Sequence, residues 1–137
     1  MDLNNVKIAI ATDDGQNVSS HFGRAPYYSV LTVENRVVVA REQRPKFAPH
    51  GGQHAEHGAE HHEAHQHRHS AMVEPIRDCK IVVARGMGDG AYIHLTEAGM
   101  ETVLTSVHTV KEVEEAVREG TLQHQPERVH HHGGTSQ

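Results

Sequence analysis

The chain has 137 residues, enough for one compact domain and short for two, and with no tryptophan and few aromatics its core must be built from aliphatic side chains. Thirteen Lys and Arg against 18 Asp and Glu give a net charge of −5 with histidine neutral, and the basic residues are scattered rather than gathered in a stripe, which argues against nucleic acid. A lone Cys79 excludes an internal disulfide framework and suits a reducing cytoplasm, and the opening Met1-Asp2-Leu3-Asn4-Asn5 reads as neither a signal peptide nor a membrane span, so the expected location is cytoplasmic.

Val6 to Thr12 alternates and is β-branched, which predicts a first strand running into the turn formers Asp13-Asp14-Gly15-Gln16-Asn17. Tyr27 to Glu34 and Val37 to Gln43 read as two strands joined through Glu34-Asn35-Arg36, hence an antiparallel hairpin. Pro45 and Pro49 end regular structure, and an insertion at about residues 48–70 fills the connection that follows. Ser70 is expected to cap a short helix with Met72, Val73 and Ile76 on one face. Cys79 to Ala84 is a continuous apolar run, expected to be the most deeply buried strand.

Arg85-Gly86-Met87-Gly88-Asp89-Gly90 then leads to a helix from Ala91 to near Gly99, and Met100 to Leu104 forms another short strand. The last helix is predicted to start at Thr109, with Glu112 completing a capping box, to bury Val110, Val113, Ala116 and Val117, and to end at Gly120. This order gives a mixed sheet with helices packed on it, α/β in three layers, as one domain over residues 1–123. Residues 124–137, with His124 and His130 to His132, are expected to form a mobile tail.

The insertion is the most unusual stretch. His50, His54, His57, His61, His62, His65, His67 and His69 put eight imidazoles into twenty residues, interleaved with Glu56, Glu60 and Glu63. Imidazole is the commonest transition-metal ligand among side chains, so the segment reads as a site for Zn, Ni, Co, Cu or Fe. Six of the eight follow at steps of four, three, four, four and four, which at about 100° per helical residue gathers them within roughly 120° of one another. Against a metal-free helix stand Gly51, Gly52 and Gly58, each costing about 1 kcal/mol relative to Ala. A solvated insertion that holds ions only loosely is the alternative reading.

Ile8-Ala9-Ile10-Ala11-Thr12-Asp13-Asp14-Gly15 followed by Ser19-Ser20-His21-Phe22-Gly23-Arg24-Ala25 resembles the opening of the dinitrogenase iron-molybdenum cofactor-binding family. Cys79-Lys80-Ile81-Val82-Val83-Ala84-Arg85-Gly86-Met87-Gly88 and Leu95 to Met100 are similar to its second half. The resemblance covers about residues 6 to 47 and 71 to 123. It implies a ribonuclease-H-like fold, a mixed five-stranded sheet flanked by helices, without that fold's nuclease carboxylates. It further implies a non-enzymatic role in carrying a metal-sulfur cluster of the Fe/Mo type during cofactor assembly or trafficking, with cluster-assembly proteins as partners.

The residues themselves give this loop a reason to be a site. It leaves the C-terminal end of the first strand, where ligands of open α/β sheets bind. The cofactor-binding candidates are Ser19, His21 and Arg24, with Gly86 and Gly88. His21 can ligate a metal or donate a hydrogen bond to a cluster sulfide, and Arg24 can offset the charge of an anionic cluster. The alternative is that Phe22 packs into the core, Gly23 permits a turn and His21 caps a backbone group. Gly86-Met87-Gly88-Asp89-Gly90 resembles an anion cradle of backbone N–H groups, or else a tight strand-to-helix turn. It lacks the Lys-Ser/Thr of a nucleotide-binding loop. Cys79 reads as a buried small hydrophobe rather than a ligand.

Two functions therefore stand beside each other: a cluster carrier using the loops at the sheet edge, and a metal-ion buffer or metallochaperone using the insertion. A hydrolase on the same scaffold finds little support, because Asp13 and Asp14 are adjacent in one turn and a two-metal site needs carboxylates converging from separate elements.

Overall fold

The computed structural model describes residues 3–46 and 72–130. Its main sheet has five strands in the order β3-β2-β1-β4-β6, with β1 spanning Asn5–Thr12, β2 Tyr27–Glu34, β3 Val37–Pro45, β4 Ile81–Ala84 and β6 Glu101–Leu104. Strand β1 pairs antiparallel with β2 and parallel with β4; β2 and β3 are antiparallel, β4 and β6 parallel. Met87–Gly88 forms a two-residue strand β5, and Val129–His130 forms β7, which pairs with it in parallel. The helices are α1, Asp89–Glu97, and α2, Val110–Glu119. The expected mixed five-stranded α/β architecture is the one observed.

The alternation in β1 decides the layering. Ala9 and Ala11 point into one core with Phe22, Tyr28, Val82, Ala84, Leu95 and Ile76, while Val6, Ile8 and Ile10 point into the other with Val83, Val103, Val113 and Val117. One face is thus covered by α1 and the turn at Glu74–Ile76, the other by α2. All four residues of β4 are buried, as expected for a parallel strand packed on both faces.

Local signals account for several boundaries. In α2 the Thr109 hydroxyl accepts the Glu112 N–H at 3.1 Å and the Glu112 carboxylate accepts the Thr109 N–H at 3.1 Å, the reciprocal box expected from the sequence. Gly120 closes the helix in the left-handed region at φ 74°. The hairpin between β2 and β3 turns through Asn35 and Arg36, both at positive φ, a two-residue turn whose twist matches the strands. The expected helix after Ser70 is, within the described residues, α-helical at Met72 and Val73 and tightens to a 3-10 turn at Glu74–Ile76 with Pro75 inside it.

Two edges are treated differently. Strand β3 is exposed along most of its length and carries Arg41, Glu42 and Arg44, charges that discourage pairing with another sheet. At the opposite edge Leu104 donates its N–H to His124 Nδ1 at 3.1 Å and accepts the Gln125 N–H at 2.7 Å, and the His124 ring stacks on Tyr92. The segment from His124 to His130, expected as a mobile tail, carries these bonds and the β7 pairing.

Among the described residues no helix is long and apolar enough to cross a membrane.

Candidate functional site

The loops after β1 and β4 meet at the C-terminal edge of the parallel strands. Thr12 ends β1 buried, and its Oγ1 accepts the N–H of Gly15 at 2.8 Å and of Asp14 at 3.3 Å. Asp14 in turn accepts the N–H groups of Asn17 and Gln16 at 2.8 and 2.9 Å, and these bonds hold its carboxyl below the usual carboxylate range. Its side chain builds the turn.

From there the chain is stitched to its neighbours. Ser19, buried, accepts the His21 N–H and donates to the His21 carbonyl, each at 3.1 Å. Arg85 donates its N–H to the Ser19 carbonyl at 2.8 Å, and Phe22 donates to the Gly86 carbonyl at 3.0 Å. A single 3-10 turn at Phe22–Arg24 buries Phe22 and leaves His21 and Arg24 exposed on either side of it. Ser19, His21, Arg24 and Gly86 are therefore brought together at one edge.

Gly88 lies one step further, as the residue that caps α1. The expected glycine cradle takes a different form. Met87 and Gly88 pair with Val129 and His130, and Gly88 is extended at φ −74°, so this backbone is strand rather than a nest of successive N–H groups.

Sequence reasoning missed three contributors. Arg85 follows β4, and its Nε is buried with no hydrogen-bond partner among the described residues. Arg128 reaches the same place and donates to the Arg85 carbonyl at 3.3 Å. Lys46 is fully buried; its ammonium donates to the Phe22 carbonyl and lies 4.1 Å from the centroid of the Phe22 ring. Nothing in Pro45-Lys46-Phe47 marks that lysine as a core residue, because the signal is tertiary.

The chemistry of this edge is cationic and hydrogen-bonding. Arg24 and Arg85 supply guanidinium groups that suit an anion, beside the Asp13 and Asp14 carboxylates of the turn after β1, and the buried Arg85 Nε, without a partner among the described residues, is a donor in want of an acceptor. No thiolate is at hand. Cys79 is buried, and that burial pushes its thiol up to about 12. Among the described residues no group of three or more His, Cys, Asp or Glu is arranged to hold a metal ion. His50 to His69, the expected metal ligands, lie outside the described residues. A separate groove of about 810 Å³ opens between β3 and α2, lined by Gly15, Gln16, Ser29, Arg41, Gln43 and Lys111 among others, and includes none of His21, Arg24 or Gly86.

The fold and this edge define an open α/β protein with a loop-built site beyond the ends of its parallel strands. The chain belongs to the dinitrogenase iron-molybdenum cofactor family, whose model matches residues 4–120. That membership associates it with non-catalytic cofactor accessory proteins.

Solved structures with the same fold include a putative dinitrogenase from Methanocaldococcus jannaschii, 15% identical, covering 87% of this chain and 93% of that one with a TM-score of 0.60. A putative NifB protein from Thermotoga is 21% identical, covering 87% and 92% with a TM-score of 0.59. The apo form of the orange protein from Desulfovibrio gigas is 18% identical, covering 87% and 92% with a TM-score of 0.57. The search of curated protein sequences found no match.

Proposed function

We propose that this chain binds and carries an anionic metal-sulfur species of the iron-molybdenum type between cluster-assembly proteins in the cytoplasm. Ser19, His21, Arg24, Gly86 and Gly88 form its contact surface, and the His-rich insertion brings metal to it. The observation that carries the reading is the attachment of Lys46. The last described residue before the insertion donates its N–H to the Pro26 carbonyl at 2.8 Å and its ammonium to the Phe22 carbonyl, so the described chain ends beside the loop bearing His21 and Arg24. Arg85, whose Nε has no partner among the described residues, supports an anionic cargo over a bare cation.

The composition of the insertion favours a second reading, a buffer or metallochaperone for Zn, Ni, Co or Cu held by His50, His54, His57, His61, His62, His65, His67 and His69 alone. One experiment separates the two. Untagged protein, with and without residues 48–70, is purified from metal-replete cells without oxygen and analysed for bound metals and acid-labile sulfide. Sulfide with Mo or Fe retained after the deletion supports the carrier. Zn, Ni, Co or Cu alone, lost with the deletion, replaces it with the buffer.

A further inference from the structure

Among the described residues Lys46 is the only charged side chain in the core. Burying an ammonium costs several kcal/mol unless charge or hydrogen bonds compensate it, and among the described residues no carboxylate is bonded to this one. What it meets instead is a carbonyl and two ring faces. Its Nζ donates to the Phe22 carbonyl and lies 4.1 Å from the Phe22 centroid and 5.3 Å from that of Tyr28. The two rings are themselves in tilted contact, 6.0 Å apart.

The Phe22 peptide is thereby held from two sides. Its N–H goes to the Gly86 carbonyl, and the carbonyl it carries receives Lys46. His21 and Arg24 sit immediately before and shortly after this pinned unit, both exposed. The Lys46 N–H bond to Pro26 fixes the far end of the same loop.

We propose that Lys46 is a positioning residue for the His21–Arg24 loop: its buried ammonium, seated between Phe22 and Tyr28, clamps the Phe22 carbonyl and so sets where the imidazole and guanidinium stand. The inference rests on the carrier reading for what the loop holds, but the clamp itself is a property of the free protein.

Charge is what distinguishes this clamp from plain packing. A neutral amine keeps an N–H for the carbonyl but loses the attraction to the ring faces and the charge-assisted part of the bond. The groups around it are Asp13 on the turn after β1, which favours the charged form, His21 and Arg24 on the loop itself, and Tyr28, with Cys79 behind it. The Tyr28 hydroxyl and the Cys79 thiol are both pushed up by burial and stay neutral through the range of interest. Burial pushes the Lys46 ammonium down to about 7, against the pull of Asp13, so its proton leaves within an accessible range.

The test is an amide spectrum of the full ¹⁵N-labelled chain in a His21→Gln background, which leaves no imidazole on the loop itself. Between pH 5.5 and 8.5, the amides of Phe22, Gly23 and Arg24 should shift together with the Lys46 side-chain resonance, on one midpoint. With Lys46→Met added, that shared titration should vanish while the remaining spectrum stays folded. A loop that stays silent as Lys46 titrates, or that still titrates in Lys46→Met, overturns the proposal.

Tetrathiomolybdate, a small anionic metal sulfide, supplies the second arm in protein with native His21. Lys46→Met should weaken its binding about tenfold, the low end for residues that orient a ligating group; unchanged affinity also overturns the positioning role. A loop that titrates with Lys46 in a protein that binds no thiomolybdate leaves the clamp standing and removes the carrier reading. Thiomolybdate binding above a pH-silent loop does the reverse.

Discussion

The Tyr28 hydroxyl donates to the Met72 carbonyl at 2.7 Å, across 44 residues of sequence, and so ties the chain returning from the insertion to the strand beneath it. Met72 stands at the far end of residues 47–71 and Lys46 at the near end, and both rest on the same tyrosine. The described chain on either side of residues 47–71 therefore meets at one aromatic residue of β2.

Tyr28→Phe removes that bond and leaves a buried carbonyl without its donor. The expected cost is about 1–3 kcal/mol, read as a lower urea midpoint with an unchanged slope. The phenyl ring still fills its space, so the core should not otherwise rearrange. A midpoint equal to the parent would show that the carbonyl finds another donor.

Lys46→Met gives the opposite sign below neutral pH. The folded value near 7 lies well under the ordinary lysine value of 10.5, so between the two the unfolded chain binds more protons and stability rises with pH. The penalty for a charged Lys46 is present in full below the folded value and is relieved as pH climbs toward the unfolded one. Its upper bound over the whole window is about 5 kcal/mol, from roughly 1.4 kcal/mol per pH unit. Lys46→Met should be the more stable protein at pH 6, with an advantage that shrinks steadily toward pH 9. Parallel stability curves for the two proteins would refute this.

Asp78 behaves as a paired carboxylate. It receives Arg44 at 2.8 and 3.1 Å and Lys7 at 3.2 Å, and the Arg44 guanidinium above all holds its carboxyl well below the usual range. Such a group stabilises fully above the unfolded carboxylate value and loses its contribution as pH falls through the folded one. Half of the side chain is exposed, so solvent screening limits the effect to about 0.5–1 kcal/mol. Asp78→Asn should cost that much at pH 7 and progressively less as pH falls below about 4 toward the depressed folded value, as measured by thermal unfolding across that range.

The layers were legible in the sequence because they depend on local period: alternation in β1, an unbroken apolar β4, and a capped α2 whose apolar face is Val110, Val113 and Val117. The loop motif was legible as a motif, and the sheet brings Ser19, His21, Arg24 and Gly86 to one edge. Lys46 and Arg85 were not, because a long cationic side chain reads as surface until tertiary structure folds two rings or a strand end over it. Nor did a helical or extended period reveal that His124 and Gln125 would cap the backbone of Leu104, since that bond is made by a ring nitrogen and an isolated amide.

For the insertion the prediction comes from the chemistry of imidazole and from spacing. A metal binds only the neutral ring, so occupancy of His50 to His69 should fall as pH drops through about 6.5, the reference histidine value. If the steps of four, three, four, four and four are used, each chelated pair fixes one helical turn and offsets part of the nucleation cost, and Zn²⁺ or Ni²⁺ should raise the helical signal. Circular dichroism of a peptide spanning residues 48–71, titrated with metal at neutral pH and at about pH 5, checks both consequences. A scrambled peptide with the same histidine count is the control. Tight binding without a gain in helix would show that the ligands are chosen by number and not by register. Binding no tighter than the scrambled control would leave composition alone, and the cargo would then have to be held by the His21 loop and the arginines of the sheet edge.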